Sequence, residues 1–482
     1  MTLIGNGVVL GTGRGRGFGL RLEGERIAEV FFTPVRSKPD IDLDGAYVLP
    51  GLVDTHLHVR ALGRSERAAA AKTINTLGEL GAALRETTPA STGIRYAIGW
   101  CSSSPRPSLA WFDKEFPGEA VVVLCQDLHS GFASRTALAR FGTPLATALA
   151  GTTDEHGFGR DGSGELTGYV RDRALELLTG GFVTGDDDGL TDDLLLGLEK
   201  CAAAGLTEVH EMATSPAMWR AFRELDERGR LPVRVCCYGF GAPEHWMSEM
   251  IDEPSNRLRF CGFKVFLDGA LGSHGAWLSE PYSDLSGDSS APCGFERCGY
   301  EELERWWSLA TQQGRQLALH AIGDAAVARA LSLPQRGDGT LRVEHAQVVR
   351  PIDVPRFDGV IAAMQPHHRR DDDAILTSRL GARASWAFPF VELERAGALV
   401  CFGSDAPVST LSPLEGMRAA REFGVWDPLP GYTTAAKRAS RSPDTGRLEA
   451  GARADFVVLD FAPADPRARI RERWLDGECL RL

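Results

Sequence analysis

Eight short apolar runs in the middle of the chain constrain its fold more than any other feature. They are apolar throughout rather than alternating, which is typical of strands buried on both faces of a parallel sheet. Helical stretches such as SPAMWRAFRELDERG separate many of them. Buried strands alternating with helices predict an α/β fold whose strands close into a (β/α)8, TIM-like barrel. The runs are 51–58, 205–212, 232–238, 260–269, 316–321, 341–346, 359–366 and 398–407.

The sequence pattern at the two ends of the chain differs from that of this middle part. Both contain short strand-like runs joined by glycine-rich turns, such as GVVLGTG and ARADFVVLDF. We therefore expect residues 1–48 and 427–482 to form one small β-sandwich domain and residues 49–426 to form the barrel. The gap between the first two barrel runs is too long for a plain loop, which predicts an inserted subdomain at about 65–195.

Composition and charge exclude several classes of partner. The 482 residues are 43% hydrophobic and 24% charged, and their formal net charge of -12 argues against binding to nucleic acid. The apolar runs are far shorter than the roughly 20 residues that span a bilayer, and the first residues lack a signal-peptide pattern. Ten cysteines without framework spacing favour reduced thiols. We therefore expect a cytoplasmic protein that acts on a small molecule away from membranes, and its association into homo-oligomers stays open.

Four histidines and an aspartate lie at or near the ends of the predicted strands. His56 and His58 are two residues apart, so on a strand both imidazoles point to the same side. His320, His345 and Asp405 lie in later runs, and the C-terminal ends of barrel strands meet at one rim. Nitrogen and oxygen ligands from several strand ends are typical of a catalytic Zn²⁺ site. The competing interpretation makes the later histidines hydrogen-bonded core residues and the aspartate a helix cap.

Lys264, on the fourth predicted strand, is a sixth candidate ligand. Lysine is rare in this chain and arginine abundant, and a lysine, unlike an arginine, loses its proton when it is buried in apolar surroundings. A buried ammonium beside bound cations is strongly disfavoured. We therefore expect Lys264 to be either neutral or converted by CO₂ to a carbamate that bridges two ions. The alternative is that Lys264 points away from the site toward solvent.

Longer motifs resemble a known family. The motifs PGLVDTHLH, HAIGD, EHAQ and GSDAP occur in this order, together with KVFLDGALGSHGAWLSEPY and the closing LEAGARADFVVLD. The set resembles the amidohydrolase superfamily, and more closely its YtcJ-like branch, which includes N-substituted formamide deformylase. The chain departs from the family pattern at Cys101, where an acidic residue is common, and at Ser134, where an asparagine is common. Both departures lie in the predicted insert and affect substrate choice more than metal chemistry.

The resemblance implies a binuclear metal centre and a hydrolytic reaction. The implied ligands are His56, His58 and Asp405 for one ion, and His320 and His345 for the other, with carboxylated Lys264 and a hydroxide between them. The expected cofactors are two Zn²⁺ ions per chain, or other divalent transition metals, and the CO₂-derived carbamate. The implied reaction is cleavage of a carbon–nitrogen, amide-type bond of a small N-substituted substrate by the bridging hydroxide, with Asp405 as the catalytic residue.

Two other functions stay open at this point. One is a mononuclear zinc deaminase that acts on a heterocycle, in which Lys264 has no metal role. The other is a non-catalytic barrel that serves as a binding or regulatory protein.

Further candidate residues surround the predicted metal centre. Rings from the insert and from segments that follow strands suit an apolar substituent of the substrate, although a core role is the alternative for either tryptophan. The substrate-binding candidates are Trp100, His129, Trp277, His367 and Arg369. The carboxylates of Asp324 and Glu344 are candidates for orienting the ligand imidazoles. His210 and Glu211 are adjacent on a strand and point to opposite faces, so at most one of them reaches the site.

Overall fold

The structure is a computed structural model of the 482-residue chain. It describes residues 1–90, 92–101, 104–139, 157–179, 182–183, 187–247, 255–285, 292–334, 339–442 and 444–481.

An eight-stranded parallel barrel forms the centre of the molecule and confirms the fold expected from the apolar runs. Its strands are β1 (Leu52–Leu57), β2 (Leu206–Thr214), β3 (Arg234–Gly239), β4 (Leu258–Phe266), β5 (Gln316–Ala321), β6 (Leu341–His345), β7 (Ile361–Met364) and β8 (Leu399–Phe402). Each strand pairs in parallel with the next along the chain. A parallel bridge between Leu57 and Ala406 joins the first strand to the segment after the last one. The carboxyl ends of all eight strands therefore meet at one rim.

Helices cover the outside of the barrel, so that strands such as β1, β2 and β3 are buried along their whole length. In the helix Pro216–Glu227, Ser215 caps the N-terminus by accepting a hydrogen bond from the backbone N–H of Met218. Met218 and Phe222, four residues apart, lie on one face in the main hydrophobic core. This apolar face packs on the barrel.

The remaining helices have the following bounds. The α-helices are Val59–Ser65, Leu77–Glu86, Leu109–Glu115, Asp172–Leu178, Leu190–Ala203, Pro243–Met247, Tyr300–Gln312, Asp324–Ala330, Pro366–Leu380, Phe390–Arg395, Pro413–Glu422 and Thr434–Ala439. The 3-10 helices are Val354–Phe357, Gly381–Trp386 and Leu429–Tyr432. None of the helices in the described ranges is long and apolar enough to cross a membrane.

Two small sheets are built from the ends of the chain. One contains Thr2–Gly5, Gly19–Glu23, Arg26–Phe31 and Ile41–Asp42, and the other contains Val8–Val9, Tyr47–Pro50, Phe456–Leu459, Ile470–Leu475 and Glu478–Arg481. Tyr47–Pro50 pairs antiparallel with Phe456–Leu459, which joins the two termini. Ile4 and Leu20 of the first sheet share a core with Phe456 and Trp474 of the second. The two sheets therefore pack together as additional small sheets beside the barrel.

The segment of the chain that connects β1 to β2 forms a third additional sheet, separate from the barrel. Its strands are Ala69–Ala70, Ile94–Trp100, Ala120–Cys125, Ser130–Ala133, Phe158–Arg160 and Leu166–Arg171. The sheet is apolar on both faces, because Val122 belongs to one core cluster and Val121 to another. This sheet occupies the region where an insert is expected, and the exact domain boundaries stay a prediction.

Candidate metal centre

Four histidines predicted from the sequence lie together at the rim of the barrel. His56 is on β1, His58 follows β1, His320 is on β5, and His345 is the last residue of β6. The ring centroid of His56 lies 5.6 Å from that of His58 and 4.8 Å from that of His345. The rings of His320 and His345 are 4.4 Å apart. All four side chains are buried.

Asp405 lies in the loop after β8, between the imidazoles. Its Oδ1 is 3.5 Å from Nε2 of His56 and 3.3 Å from Nε2 of His58. Burial alone raises the pKa of the carboxyl, but the imidazoles of His56, His58, His345 and His368 together outweigh that effect and hold the pKa of Asp405 well below its usual range. The side chain is therefore an anion at the centre of the histidine cluster.

Two of the candidate ligands have a strained backbone. His345 has a φ of 71° and Asp405 a φ of 57°, in the left-handed region that residues other than glycine rarely adopt. Such conformations cost of the order of 1–3 kcal/mol each and persist where the surrounding structure imposes them. Part of that constraint is visible at Asp405, whose backbone N–H donates to the carbonyl of His56 at 2.6 Å. The backbone thus places the carboxylate against the end of β1.

Lys264 is buried on β4, as predicted, with its amine in an apolar setting. Its Nζ lies 4.8 Å from the centroid of the Phe266 ring and has no hydrogen-bond partner within the described ranges. Burial lowers the pKa of Lys264 to about 8, although the carboxylates of Glu344 and Asp405 act in the opposite direction. A lysine with a pKa of about 8 is still mostly protonated at pH 7, but its neutral fraction is far larger than that of an exposed lysine, and the neutral amine is the form that adds CO₂.

Hydrogen bonds donated by Nδ1 orient two of the imidazoles, those of His56 and His345. Nδ1 of His56 donates to Glu344 at 2.5 Å, and Nδ1 of His345 donates to Gln365 at 2.8 Å. Glu344 is held in turn by the buried guanidinium of Arg342. These contacts assign the proton to Nδ1 and leave Nε2 with a free lone pair, which is the arrangement that supports metal-ligating histidines. Glu344 of β6 therefore contacts a candidate ligand as predicted, but the contacted imidazole is that of His56 on β1 and not that of its chain neighbour His345.

The carboxylate beside His320 is Asp268, not the predicted Asp324. Oδ1 of Asp268 lies 3.5 Å from Nε2 of His320, and the buried carboxylate accepts three backbone hydrogen bonds. Burial raises the pKa of Asp268 to about 7. Asp324 instead accepts hydrogen bonds from the backbone and side chain of Ser279, so it fixes a loop.

The polar atoms of the cluster fit a divalent metal ion. Five buried polar atoms have no hydrogen-bond partner in the part of the chain that the structure describes: Nδ1 of His58, Nζ of Lys264, Nε2 of His320, Nε2 of His368 and Oδ1 of Asp405. Unsatisfied buried polar groups are rare, and a metal ion bound in the functional protein is a recognised cause. Burial also lowers the pKa of His345 to about 3 and the pKa values of His56 and His320 well below the usual value. Neutral imidazoles beside a carboxylate are the donors that zinc and similar metals take.

An active-site cavity opens beside this cluster. The space not filled by atoms is about 800 Å³, a figure that includes open solvent at the mouth. His129, from the insert, lies on its wall with its ring 5.3 Å from that of His320. The rest of the wall near the histidines is mainly apolar and includes Leu128, Leu175, Phe182, Phe240 and Phe266. The insert and the barrel therefore both contribute to the cavity.

Neither predicted tryptophan is on the wall of this cavity. Trp100 is fully buried in a core of the insert sheet, where it packs with Phe112 and Val121. Trp277 lies under the guanidinium of Arg329, whose carbon is 5.3 Å from the ring centroid. Strand periodicity alone does not distinguish the core face of the insert sheet from the face toward the barrel, because both faces are apolar.

His367 and Arg369 also lie away from the cavity. Nε2 of His367 faces the carbonyl of Ser412 at 3.4 Å. Arg369 pairs with Asp373 one helical turn later on its own helix. Of the five predicted substrate-binding residues, the structure therefore brings His129 alone to the cavity wall.

Sequence reasoning missed His368. This residue lies in the first turn of the helix Pro366–Leu380, directly after β7, and its Nε2 is 3.5 Å from Oδ2 of Asp405. Its ring stacks on that of His345, with 5.8 Å between the centroids. The signal in the sequence is the pair of histidines after MQP, but the phase of the helix decides which of the two faces the site.

His210 and Glu211 do lie on opposite sides of β2, as expected from their adjacency. Glu211 accepts a hydrogen bond from the backbone N–H of Val59 at 2.5 Å and lies 3.9 Å from Nδ1 of His58. His210 points into the barrel interior, where it contacts Arg342.

Fold and site together define a metal-dependent hydrolase with a (β/α)8 barrel. The family model described as the amidohydrolase family matches residues 41–423. The chain therefore belongs to the amidohydrolase family, and it is an enzyme of the type that hydrolyses carbon–nitrogen bonds.

Individual relatives agree with this assignment. The chain is 27% identical to the putative amidohydrolase YtcJ of Bacillus subtilis (strain 168), over 95% of this chain and 90% of that protein. It is 26% identical to the N-substituted formamide deformylase of Arthrobacter pascens, over 88% of this chain and 85% of that protein. The crystal structure of an uncharacterized metal-dependent hydrolase from Pyrococcus horikoshii OT3 matches with a TM-score of 0.76 and 25% identity, over 96% of this chain and 98% of that chain. The resemblance to the YtcJ-like branch is thereby confirmed.

Proposed function

We propose that the enzyme cleaves the amide-type carbon–nitrogen bond of a small N-substituted substrate with the help of two divalent metal ions. The observation that carries this proposal is the convergence of buried imidazoles on the carboxylate of Asp405 at the rim of the barrel. The apolar cavity beside them supports a substrate with an apolar substituent. The likeness to N-substituted formamide deformylase supports an amide-type bond.

The ligand assignment follows the geometry of the cluster. His56, His58 and Asp405 offer atoms that lie within 4.8 Å of one another and would hold one ion. His320 and His345 would hold the second ion, and carboxylated Lys264 would bridge the two. The buried amine of Lys264, with its lowered pKa, supports this modification. Zinc is proposed because imidazole and carboxylate donors suit it.

Bound divalent ions supply Lewis-acid polarisation of the substrate carbonyl and a lowered pKa for the attacking water. The residues of the chain would transfer the proton, exclude water and contact the substrate. Asp405 accepts the proton of that water and returns it to the departing nitrogen, because its carboxylate is ionised and lies among the ligands. The apolar walls around Phe240 and Phe266 exclude other water molecules, and His129 contacts the substrate from the insert.

A substrate panel tests this proposal. The zinc-reconstituted chain is assayed on N-substituted formamides, other amides and amino-substituted heterocycles, with Asp405→Asn as the test variant and Asp373→Asn, at an exposed ion pair, as the control. We expect amide turnover that chelation abolishes and that Asp405→Asn lowers by about 10²–10⁴-fold, the usual contribution of a general acid–base, while much of the metal stays bound. Equal turnover in Asp405→Asn refutes its role. Ammonia release from a heterocycle by a chain with one ion supports the mononuclear deaminase instead, and absence of metal-dependent turnover supports a non-catalytic barrel.

A further inference from the structure

His368 is placed in the metal centre by the helix that follows β7. This helix begins at Pro366, so His367 and His368 fall in its first turn and point in directions about 100° apart. His367 faces the carbonyl of Ser412, and His368 faces Asp405. Gln365, the residue that precedes the helix, accepts the hydrogen bond from Nδ1 of His345. One short segment therefore orients one ligand imidazole and adds another beside it.

The distance between His368 and Asp405 does not suit a hydrogen bond. Nε2 of His368 lies 3.5 Å from Oδ2 of Asp405, whereas N–H···O bonds span about 2.7–3.2 Å. Two ligands of one tetrahedral zinc ion, each at about 2.0–2.1 Å from the metal, are separated by roughly 3.4 Å. Oδ1 of the same carboxylate lies 3.5 Å from Nε2 of His56. Each oxygen of Asp405 is thus at ligand-to-ligand spacing from a different histidine.

The surroundings of His368 point to a ligand rather than to a packing role. The side chain is buried, and its Nε2 has no hydrogen-bond partner among the residues described. His345, His368 and Asp405 offer donor atoms that all lie within 4.8 Å of one another. Nε2 of His320 lies 3.5 Å from Oδ1 of Asp268. The structure therefore contains two three-residue groups that share Asp405, one with His56 and His58 and one with His345 and His368.

We propose that His368 is a metal ligand and that, with His345 and Oδ2 of Asp405, it binds the second ion, to which His320 is also assigned above. Imidazole and carboxylate donors suit a borderline divalent cation such as Zn²⁺ or Co²⁺. This proposal rests on the two-ion function proposed above and adds a ligand to it. A carboxylate has about four lone-pair sites, so an oxygen that binds an ion keeps a lone pair for the proton transfer assigned to Asp405.

Metal stoichiometry and affinity test the role of His368. The full chain is stripped with a chelator and titrated with Co²⁺, with bound metal measured by elemental analysis and folding checked by circular dichroism. We expect the wild type and His367→Gln, the matched neighbour that faces away, to bind two ions. His368→Gln should bind one ion normally and the second at least tenfold more weakly. Two ions bound by His368→Gln with unchanged affinity overturn the proposal.

A second variant, His368→Cys, tests the proposal through a new absorption band, so the test does not depend on whether His368→Gln folds. In His368→Cys, a thiolate at this position bound to Co²⁺ gives a near-ultraviolet charge-transfer absorption, which a residue with a packing role does not produce. We expect this band in His368→Cys and not in His367→Cys. A folded, Co²⁺-loaded His368→Cys without the band overturns the proposal. A wild type that binds a single ion refutes the two-ion function separately, because the thiolate band still reports whether position 368 ligates that ion.

Discussion

At the scale of single residues, the orientation of Nε2 in His56 and in His345 depends on the hydrogen bond that Nδ1 of the same imidazole donates. His56 is oriented by Glu344, and Glu344 is held by Arg342, which also contacts the carbonyl of Thr55 at the end of the same ligand strand. This arrangement fixes both the tautomer and the plane of the imidazole. Partners of this kind tune metal affinity without touching the metal.

Glu344→Gln is the residue-scale test of this dependence. The amide keeps the shape of the side chain but no longer provides the charged acceptor for Nδ1 of His56, so the lone pair on Nε2 is less available. We expect metal affinity to fall about 10–100-fold, as measured by competition with a chromophoric chelator. Glu422→Gln, at an exposed ion pair, is the control and should bind metal as the wild type does. Unchanged affinity in Glu344→Gln would show that the contact is structural only.

The residues of the site differ in how readily the sequence reveals them. His56 and His58 are readable because a two-residue spacing on a strand has one geometric outcome. The sequence does not single out His368, because the choice between His367 and His368 depends on where the helix starts. Asp268 and Asp324 illustrate a related limit, since both follow strand ends and the path of the intervening loop decides which carboxylate meets His320.

At the scale of secondary-structure elements, the metal centre depends on how the segment after β8 closes the barrel. Asp54 on β1 accepts hydrogen bonds from the backbone N–H groups of Ser404 and His56. Burial raises the pKa of Asp54 to about 7. Gly403 passes so close to β1 that a Cβ atom there would lie 2.4 Å from the backbone nitrogen of His56. Glycine at this position therefore allows Asp405 to reach His56.

Gly403→Ala should weaken both the fold and the metal site. The added methyl must push β1 and the closing segment apart, which costs about 1–3 kcal/mol in a packed interior. We expect lower stability in urea unfolding together with weaker metal binding. Gly78→Ala, in a helix with open space around the Cβ position, is the control and should not be destabilised. Wild-type stability and metal affinity in Gly403→Ala would contradict the proposed closure.

The opposite end of the barrel is held by a buried ion pair between two elements. Lys437, on the helix Thr434–Ala439, donates to Glu208 of β2 at 2.5 Å, and Ser440 also donates to that carboxylate. Burial by itself raises the pKa of Glu208, but the ammonium of Lys437, together with His210 and Arg259, outweighs it, and the pKa lies well below the usual range. Because the folded-state pKa is depressed, the pair stabilises the fold above the unfolded pKa of about 4.3 and loses this effect as the pH falls below it.

Glu208→Gln tests this pair through its pH dependence. Loss of one partner leaves a buried ammonium without its counter-charge, so we expect about 3–5 kcal/mol lower stability at pH 7. The difference from the wild type should shrink as the pH falls below about 4, measured by urea unfolding between pH 3 and 7. Glu224→Gln, at an exposed pair with Arg228, should change stability by less than about 1 kcal/mol. A difference that does not vary with pH would contradict the assignment.

At the scale of the whole molecule, the barrel supplies the ligands and the insert supplies much of the cavity wall. His129 comes from the segment before the strand Ser130–Ala133 and reaches within 5.3 Å of His320. The sequence predicted all eight barrel strands, because continuous apolar runs mark strands buried on both faces. It did not place the side chains of the insert. Trp100 shows the reason, since a sheet that is apolar on both faces has no periodicity to orient it.

Metal binding should stabilise the entire chain. Removal of the ions leaves several buried polar atoms without partners, and a ligand present at a thousand times its dissociation constant stabilises a fold by about 4 kcal/mol. We expect Zn²⁺ to raise the midpoint of thermal unfolding of the chelator-treated chain. His58→Gln should lose much of this shift, and His274→Gln, at an ion pair with Asp284 away from the cluster, should keep it. An equal shift in both variants would mean that Zn²⁺ stabilises the chain at another site.

Anomalous diffraction from crystals of the zinc-reconstituted chain would locate the metal ions themselves. We expect two anomalous peaks at the barrel rim, one among His56, His58 and Asp405 and the other beside His345, with electron density that extends beyond Nζ of Lys264. Zinc-soaked crystals with no peak at ligand distance from these side chains would contradict it.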